Sequence, residues 1–408
     1  MNYRKGLLGA FLAPLLVFGA GEAAKVQAAG YAVFTHGASA LGQGNAVTAH
    51  SSDASTIFYN PALMNKLEGT QLMVGTTAIF SSREYASSVG GNPASDDSAF
   101  FPSHFYVTHK FNDQVSAGLG IFNPFGLGTK WGDDWDGRYI ATESKLKTFN
   151  INPVVSYRVL PALTLAAGVD VVFLDATLER KIFTGGPDIS SKFKGDGTGV
   201  GFNVAAAYDI GDQVTIGASY RSQVHIDVSG DASFSVPAFD TSGDTSLTLP
   251  PQFTAGVAYK GIEKLVLEAG VRWEGWSKFR ELRIDFDNGA PSSVTPRNWK
   301  DNWGLNLGGK YQMSDTVALM AGYVYGDSAV PDSTFDPSIP DAKTHVFCAG
   351  TDLSFKPVTV ALSYGYQLYE NRSKNNDVGF NPFVPTSTAN GKYQSDAHLV
   401  ALSLGYKF

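Results

Sequence analysis

The sequence predicts an all-β membrane protein: a fourteen-stranded antiparallel transmembrane β-barrel with an N-terminal hatch plugging its lumen. Three observations lead there. The last nine residues, Val400 to Phe408, alternate without a break and finish on an aromatic. Val400, Leu402, Leu404, Tyr406 and Phe408 share one face of a strand, and with no downstream segment to cover that row, lipid is the expected second layer. From about residue 69 one plan repeats: an alternating segment, a tight turn, another alternating segment, then a longer polar loop. No run of 18 or more apolar residues follows the leader, which excludes helical spans. A mean hydropathy of -0.07 suits a wall whose lipid-facing and lumen-facing residues average out.

Taken in chain order, residues 1–28 read as a signal peptide. Arg4 and Lys5 form the charged region, Gly6 to Ala20 the apolar stretch, and Val26-Gln27-Ala28 the small-residue cleavage site. The exported chain has a lone Cys348, so its stability must come from closing the ladder and not from disulfides. Removing Arg4, Lys5, Lys25 and Glu22 from totals of 31 basic and 38 acidic residues leaves 28 and 37, a net charge of -9. That acidity argues against nucleic-acid binding.

Residues 29–68 lack strand alternation and are rich in Gly, Ala, Ser and Asn. Asp53 to Tyr59 fits a short helix, stopped at Asn60-Pro61 because a residue before proline avoids the α region. A patternless segment of this length is long for a linker, and fourteen strands enclose more space than side chains fill. The hatch is therefore placed inside the barrel.

Residues 69–408 supply the wall. Short turns fall at Asn112-Asp113, Leu160-Pro161-Ala162, Gly211-Asp212, Lys260 to Glu263, Ser314-Asp315 and Lys356-Pro357. Longer loops fall near 87–98, 129–142, 184–197, 231–245, 287–297, 329–340 and 374–392. Six turns and seven loops join fourteen strands, with turns periplasmic and loops extracellular. Phe202, Val204, Ala206, Tyr208 and Ile210 oppose Asn203, Ala205, Ala207 and Asp209 in a representative strand. Tyr and Trp gather toward strand ends, as interfacial girdles require.

The third strand runs Gln114 to Phe122 and continues Asn123-Pro124-Phe125-Gly126-Leu127-Gly128. Inside a closed wall Pro124 removes a ladder donor and Gly126 loosens the backbone. Spacing alone fits either a hole in the wall or a strand that simply ends at Phe122.

The start Ala29-Gly30-Tyr31, the segment Asn60-Pro61-Ala62-Leu63 and the strand count resemble the FadL family of outer-membrane transporters. Tyr220-Arg221-Ser222, Leu247-Thr248-Leu249-Pro250, Trp276-Ser277 with Phe279, Trp299-Lys300-Asp301-Asn302 and Ile339-Pro340-Asp341 extend the likeness over the mature chain. The resemblance implies uptake of long-chain fatty acids or monoaromatic hydrocarbons by passive, ligand-gated diffusion. It implies capture by extracellular loops, passage to an apolar pocket, and lateral exit through a gap at a kinked third strand. That assigns Asn123, Pro124 and Gly126 to the gate and favours the hole over the strand end.

Candidate ligand contacts follow. Tyr31 and Phe34 in the hatch, Phe125 at the kink, and Trp131, Trp135 and Tyr139 in the next loop supply aromatics. Phe183, Phe193, Phe234 and Phe239 in the loops near 184–197 and 231–245 extend the surface. Arg180 could anchor a carboxylate by a charge-assisted hydrogen bond, or contact lipopolysaccharide or Glu179 instead. Asn60 and Pro61 are expected to fix the hatch. The short loop near 184–197 departs from the fatty-acid branch, and Asn123 to Leu127 looks closer to the aromatic-hydrocarbon branch.

No cofactor or metal is expected: His104 and His109 lack ligand spacing, and Gly195 to Gly201 imitates a phosphate loop without its lysine or helix. Partners would be a hydrophobic ligand, outer-membrane lipid and lipopolysaccharide, and the barrel-assembly machinery through Phe408; the chain is expected to be a monomer. An enzyme is not expected, since no nucleophile motif flanks a serine. A lipid-modifying enzyme or a polar-solute porin stand as alternatives.

Overall fold

The computed structural model describes residues 30–51 and 53–408; the signal-peptide reading lies outside them. Fourteen spans form the wall. They are β1 Thr70–Ser87, β2 Ala94–Phe100 with Ser103–Lys110, β3 Val115–Phe122 with Gly126–Lys130, β4 Glu143–Leu160, β5 Leu163–Ile182 and β6 Ile189–Ile210. Next come β7 Val214–Arg221 with Val224–Phe234, β8 Thr241–Leu249 with Gln252–Ile262, β9 Leu265–Glu274 with Glu281–Phe286, and β10 Ser293–Pro296 with Asn302–Gln312. The last four are β11 Val317–Gly326, β12 Thr344–Phe355, β13 Val358–Tyr369 with Arg372–Lys374, and β14 Gly391–Lys407.

Neighbours pair antiparallel, and β14 returns to β1 in unbroken register from Gln71↔Lys407 to Ser87↔Gly391. The two terminal spans thus satisfy each other's backbone groups, which a bilayer demands. The strand alternation is physical: Leu305, Leu307, Leu402 and Leu404 are exposed on the outer face, while Asn306, Ala401 and Ser403 are buried within. An exposed apolar band over a polar interior is the inverse of a soluble β-protein. Tyr323, Tyr364 and Tyr366 pack beside His345 and His398 on the outer face as part of an aromatic girdle.

Several expected loops are shorter than polarity suggested. β6 starts at Ile189 and β8 at Thr241, so the stretches read as loops near 184–197 and 231–245 are largely strand. Polar residues there still alternate and still pair, beyond the apolar band. Phe193 is accordingly a buried strand residue, not a loop aromatic.

Residues 30–68 fill the lumen. The expected helix is confined to Thr56–Tyr59, followed by a 3-10 turn Pro61–Lys66, and a second short helix spans Ala38–Gly42. The wall admits the hatch through glycines: a side chain at Gly308 or Gly322 would overlap the backbone of Gln43. Asn306 Nδ2 donates to Gly44 O (2.6 Å) and Ser363 Oγ to Ala38 O (2.6 Å).

Candidate functional site: the apolar chamber and the interrupted wall

At the kink of β3, the ladder to β4 runs through Phe122↔Asn150 and resumes at Gly126↔Lys147. Four steps on β3 meet three on β4, so one extra residue bulges. On the other side the ladder to β2 stops at Phe105↔Ile121. Above it Ala94–Phe100 and Gly126–Lys130 share no backbone pairing among the described residues. Elsewhere in the apolar band outward-facing residues alternate with buried ones; from Pro124 to Thr129 every residue is buried. This piece of β3 keeps its ladder to β4 but no longer pairs with β2, and it is covered on both faces, which leaves a gap in the ladder between β2 and β3.

Two side chains bound the resulting gap. Asn123 Oδ1 accepts from Ser103 N (3.0 Å) and its Nδ2 donates to Thr148 O (2.6 Å), so one amide bridges β2 and β4 where β3 departs. Higher up, Asp96 Oδ2 accepts from Lys130 N (3.1 Å) and from the buried Arg83 (2.8 Å). The inner side of the gap is closed by the hatch. Val33 N donates to Pro124 O (2.9 Å), Gly126 N donates to Tyr31 O (2.8 Å), and Ala32 bridges Phe125. Pro124 cannot donate, and its carbonyl instead receives the hatch.

Tyr31 stands on an aromatic cluster. Its ring meets Trp276 (4.5 Å between centroids) and Phe125 (6.0 Å), and Trp299 meets both Trp276 and Phe279 at 5.0 Å. Above this floor lies an apolar chamber lined by Leu127, Leu146, Leu174, Leu178, Phe193, Leu247, Phe279 and Ile339. The centre of a water-sized sphere has about 50 Å³ there, well below the roughly 150 Å³ of a cavity that takes benzene. The chamber is closed in this conformation, so a cargo must displace part of its lining.

A vestibule toward the loops shares Leu178, Phe193, Leu282 and Arg297 with the chamber and is flanked by Arg180. Arg297 is buried and paired with Asp336, and its Nη2 donates to Ser338 Oγ (3.0 Å). Arg180 meets only the Ser293 hydroxyl (3.1 Å) and has no carboxylate partner among the described residues. Glu179, the partner considered from sequence, pairs instead with Lys192 (2.8 Å).

Residues 328–343 form the lid. Trp131 Nε1 donates to Pro337 O (2.8 Å) and Thr129 Oγ1 to Ser338 O (3.2 Å). Asp341 accepts from Ser328 Oγ (2.8 Å) and Ala329 N (3.0 Å), and burial pushes its carboxyl up to about 6.

Some expected contacts lie elsewhere. Trp131 and Trp135 do not line the chamber: they stack on each other (5.0 Å) and against Tyr85 and Tyr393. The buried Asp136, accepting from Tyr85 Oη and Asn92 N, clamps their loop down. Tyr139 points away to Asp188 (3.0 Å), and Phe239 is exposed. Phe34 sits below the chamber, with the Arg272 guanidinium 3.8 Å from its ring. His345 is near the loop end of β12.

Asn60 Nδ2 donates to Thr48 O (2.6 Å) and to Ala206 O on β6 (3.1 Å), while Pro61 starts the adjoining turn. A second anchor was not singled out from sequence. Glu268 on β9 accepts from the backbone N–H groups of Thr48 (2.6 Å), Ala49 (3.0 Å) and His50 (3.0 Å), and from His50 Nδ1 (2.8 Å). His50 Nε2 faces Gln43 Oε1 (2.8 Å), whose amide nitrogen is committed to Ser39 O (3.0 Å). A carboxylate on an inward position of a strand with apolar outer residues is the signal that could have found Glu268.

With that geometry in view, comparison places the chain. The family described as outer membrane protein transport protein (OMPP1/FadL/TodX) matches residues 19–408. Outer membrane protein P1 of Haemophilus influenzae is 25% identical, covering 97% of this chain and 98% of that protein. The long-chain fatty acid transport protein of Escherichia coli O6:H1 is 25% identical over 77% of this chain and 81% of its own. In fold, a FadL homologue of Pseudomonas aeruginosa matches with a TM-score of 0.83 at 19% identity, covering 93% of this chain and 100% of that one. The toluene transporter TodX of Pseudomonas putida matches at 0.73 and 18% identity, covering 91% and 98%. The protein thus belongs to the OMPP1/FadL/TodX family of outer-membrane proteins that transport hydrophobic compounds.

Proposed function

We propose that this chain takes up hydrophobic compounds by passive, ligand-gated diffusion, with an amphipathic carboxylate of the long-chain fatty-acid class as its cargo. The observation that carries the cargo class is Arg180, a half-buried guanidinium without an acidic partner among the described residues, at the mouth of an apolar chamber. A carboxylate would complete its hydrogen bonds while the tail replaces cavity space. Release follows when Tyr31, Ala32 and Val33 leave the β3 kink, opening the gap between β2 and β3 to the bilayer. The saccharide leaflet resists apolar solutes, so a dry route through the wall serves them where a water-filled pore does not.

A second reading, monoaromatic hydrocarbon, draws support from the Tyr31, Trp276, Phe279 and Trp299 cluster on the chamber floor and from the toluene transporter of the same fold. Uptake of labelled oleate and labelled toluene, in a strain lacking its own transporter, separates the two. The carboxylate reading predicts that Arg180→Gln weakens oleate uptake about tenfold or more, as loss of a hydrogen bond to a charged group implies, and leaves toluene unchanged. Equal loss of both would sink it. A large steady single-channel conductance would favour a polar-solute porin, and phospholipid hydrolysis by purified protein a lipid-modifying enzyme.

The same proposal divides the chain into a leader 1–28, a hatch 29–68 and a barrel 69–408. It includes monomeric insertion by the barrel-assembly machinery through Phe408 and lipopolysaccharide contact at the loop end.

A further inference from the structure

We propose a second anion site inside the barrel, between hatch and wall, where Arg272 receives the carboxylate head of the cargo once the hatch N-terminus withdraws. It rests on the reading of the cargo as an amphipathic carboxylate. The site is a small cavity below the chamber whose mixed lining sets Phe34 and Phe58 beside Ser219, Arg221, Thr254 and Arg272.

Arg272 is the unsatisfied member. It is 4% exposed, and its Nε has no hydrogen-bond partner among the described residues. The nearest carboxylate, Glu274, is 4.0 Å from that nitrogen, beyond hydrogen-bond reach. Glu274 Oε2 accepts no hydrogen bond among the described residues, and its Oε1 accepts from Gln252 Nε2 (3.2 Å). A buried guanidinium left this way is costly; its compensation is the Phe34 ring at 3.8 Å.

Phe34 directly follows the Tyr31 to Val33 stretch that is bonded to the β3 kink. Freeing that stretch removes the ring, uncovers Arg272 and opens the cavity in one movement. The inward-facing Ser219 and Thr254 line the same cavity and can then add hydroxyl donors. Arg221 is already neutralised by Asp170 and shapes the site instead. Its guanidinium lies 5.6 Å from the Phe58 ring and 5.3 Å from Phe122, the residue before the Asn123 rim. A head group held at Arg272 would therefore leave its tail beside the gap. Arg180 and Arg272 become the two ends of one apolar passage.

Carboxyl-¹³C-labelled laurate, titrated into the purified full-length protein in a nonionic detergent, tests this by NMR. Wild-type protein should show one bound carboxylate resonance, abolished by Arg180→Gln. Phe34→Ala should add a second resonance that disappears in Phe34→Ala with Arg272→Gln while the first persists. Heat-modifiable gel migration verifies the folded barrel, and Phe34→Leu gives the same readout if the alanine variant does not fold. A missing second resonance in both Phe34 variants, or one that survives Arg272→Gln, overturns the inner site and leaves the Arg180 reading standing. A wild-type protein without an Arg180-dependent resonance overturns both.

Discussion

Two seams of the same barrel are built in opposite ways. Where β1 meets β14, backbone pairs run without interruption from Gln71 to Ser87. Where β2 meets β3, the ladder covers Lys110↔Ser116 to Phe105↔Ile121 and then gives way to two side-chain contacts, Asn123 to Ser103 and Asp96 to Lys130. Backbone pairing in a membrane wall is obligatory, so a stretch without it must satisfy its groups elsewhere. Here the displaced strand finds partners inside, in Tyr31 and Val33 of the hatch and in Thr148. The interruption and the hatch fit together: the ladder breaks where the plug supplies hydrogen bonds.

The largest expected effect lies on the continuous seam. Ala401 pairs with Thr77 on one side and Ser363 on the other. Ala401→Pro should abolish the folded, heat-modifiable form, since proline removes a ladder donor in the middle of a sheet, where the bilayer offers no water to replace it. A folded barrel with this change would show that closure is less strict than the comparison requires.

Next is the hatch anchor. Glu268→Ala removes the acceptor of three backbone amides and leaves His50 without its partner, a loss of roughly 3–5 kcal/mol by the standard of broken buried pairs. Limited proteolysis should cut near residues 43–55 while the barrel stays heat-modifiable. An equally protected hatch would assign the anchoring to Asn60 and to the Asn306 and Ser363 contacts.

Repairing the interrupted seam comes third. Asn123→Thr with Pro124→Val restores a donor and strand propensity at the kink. Uptake should fall about tenfold, worth about 1.4 kcal/mol, with laurate binding retained. Unchanged uptake would mean the cargo leaves by another way.

The smallest effect concerns the lid. Burial raises the Asp341 carboxyl to about 6 from its ordinary 3.8. A group whose pKa is higher in the docked lid favours docking at low pH. That contribution is full below about pH 4 and lost as pH rises through about 6. Amide exchange at Ala329 and Val330, corrected for intrinsic rates, should be a few-fold slower at pH 5 than at pH 7. The opposite order would contradict this.

How much of this was legible in the sequence depends on where the information resides. Strand period, turn chemistry and the C-terminal alternation are local, so the barrel and its fourteen spans could be read directly. Asn123-Pro124 was legible as a break because proline has no N–H, yet its meaning depends on Tyr31 and Val33, some 90 residues away. Loop polarity misled at β6 and β8, where strands continue past the bilayer with polar residues on both faces. The clustered aromatics of Trp131 and Trp135 looked like a capture surface, but the Asp136 clamp and the Pro337 lid bury them. Arg180 could be named from its place at a strand end. The Glu268 anchor and the cover over Arg272 could not, because their partners, His50 and Phe34, lie in the hatch more than 200 positions earlier.

We propose that cargo leaves through the gap that the hatch closes. Ala32 and Phe125 face each other across the antiparallel bridge between hatch and kink, a separation suited to a disulfide. The measurement is oleate uptake by Ala32→Cys with Phe125→Cys, in a Cys348→Ala background, before and after reduction. Oxidised protein should transport at background level and recover on reduction. Undiminished uptake by fully cross-linked protein would contradict the account.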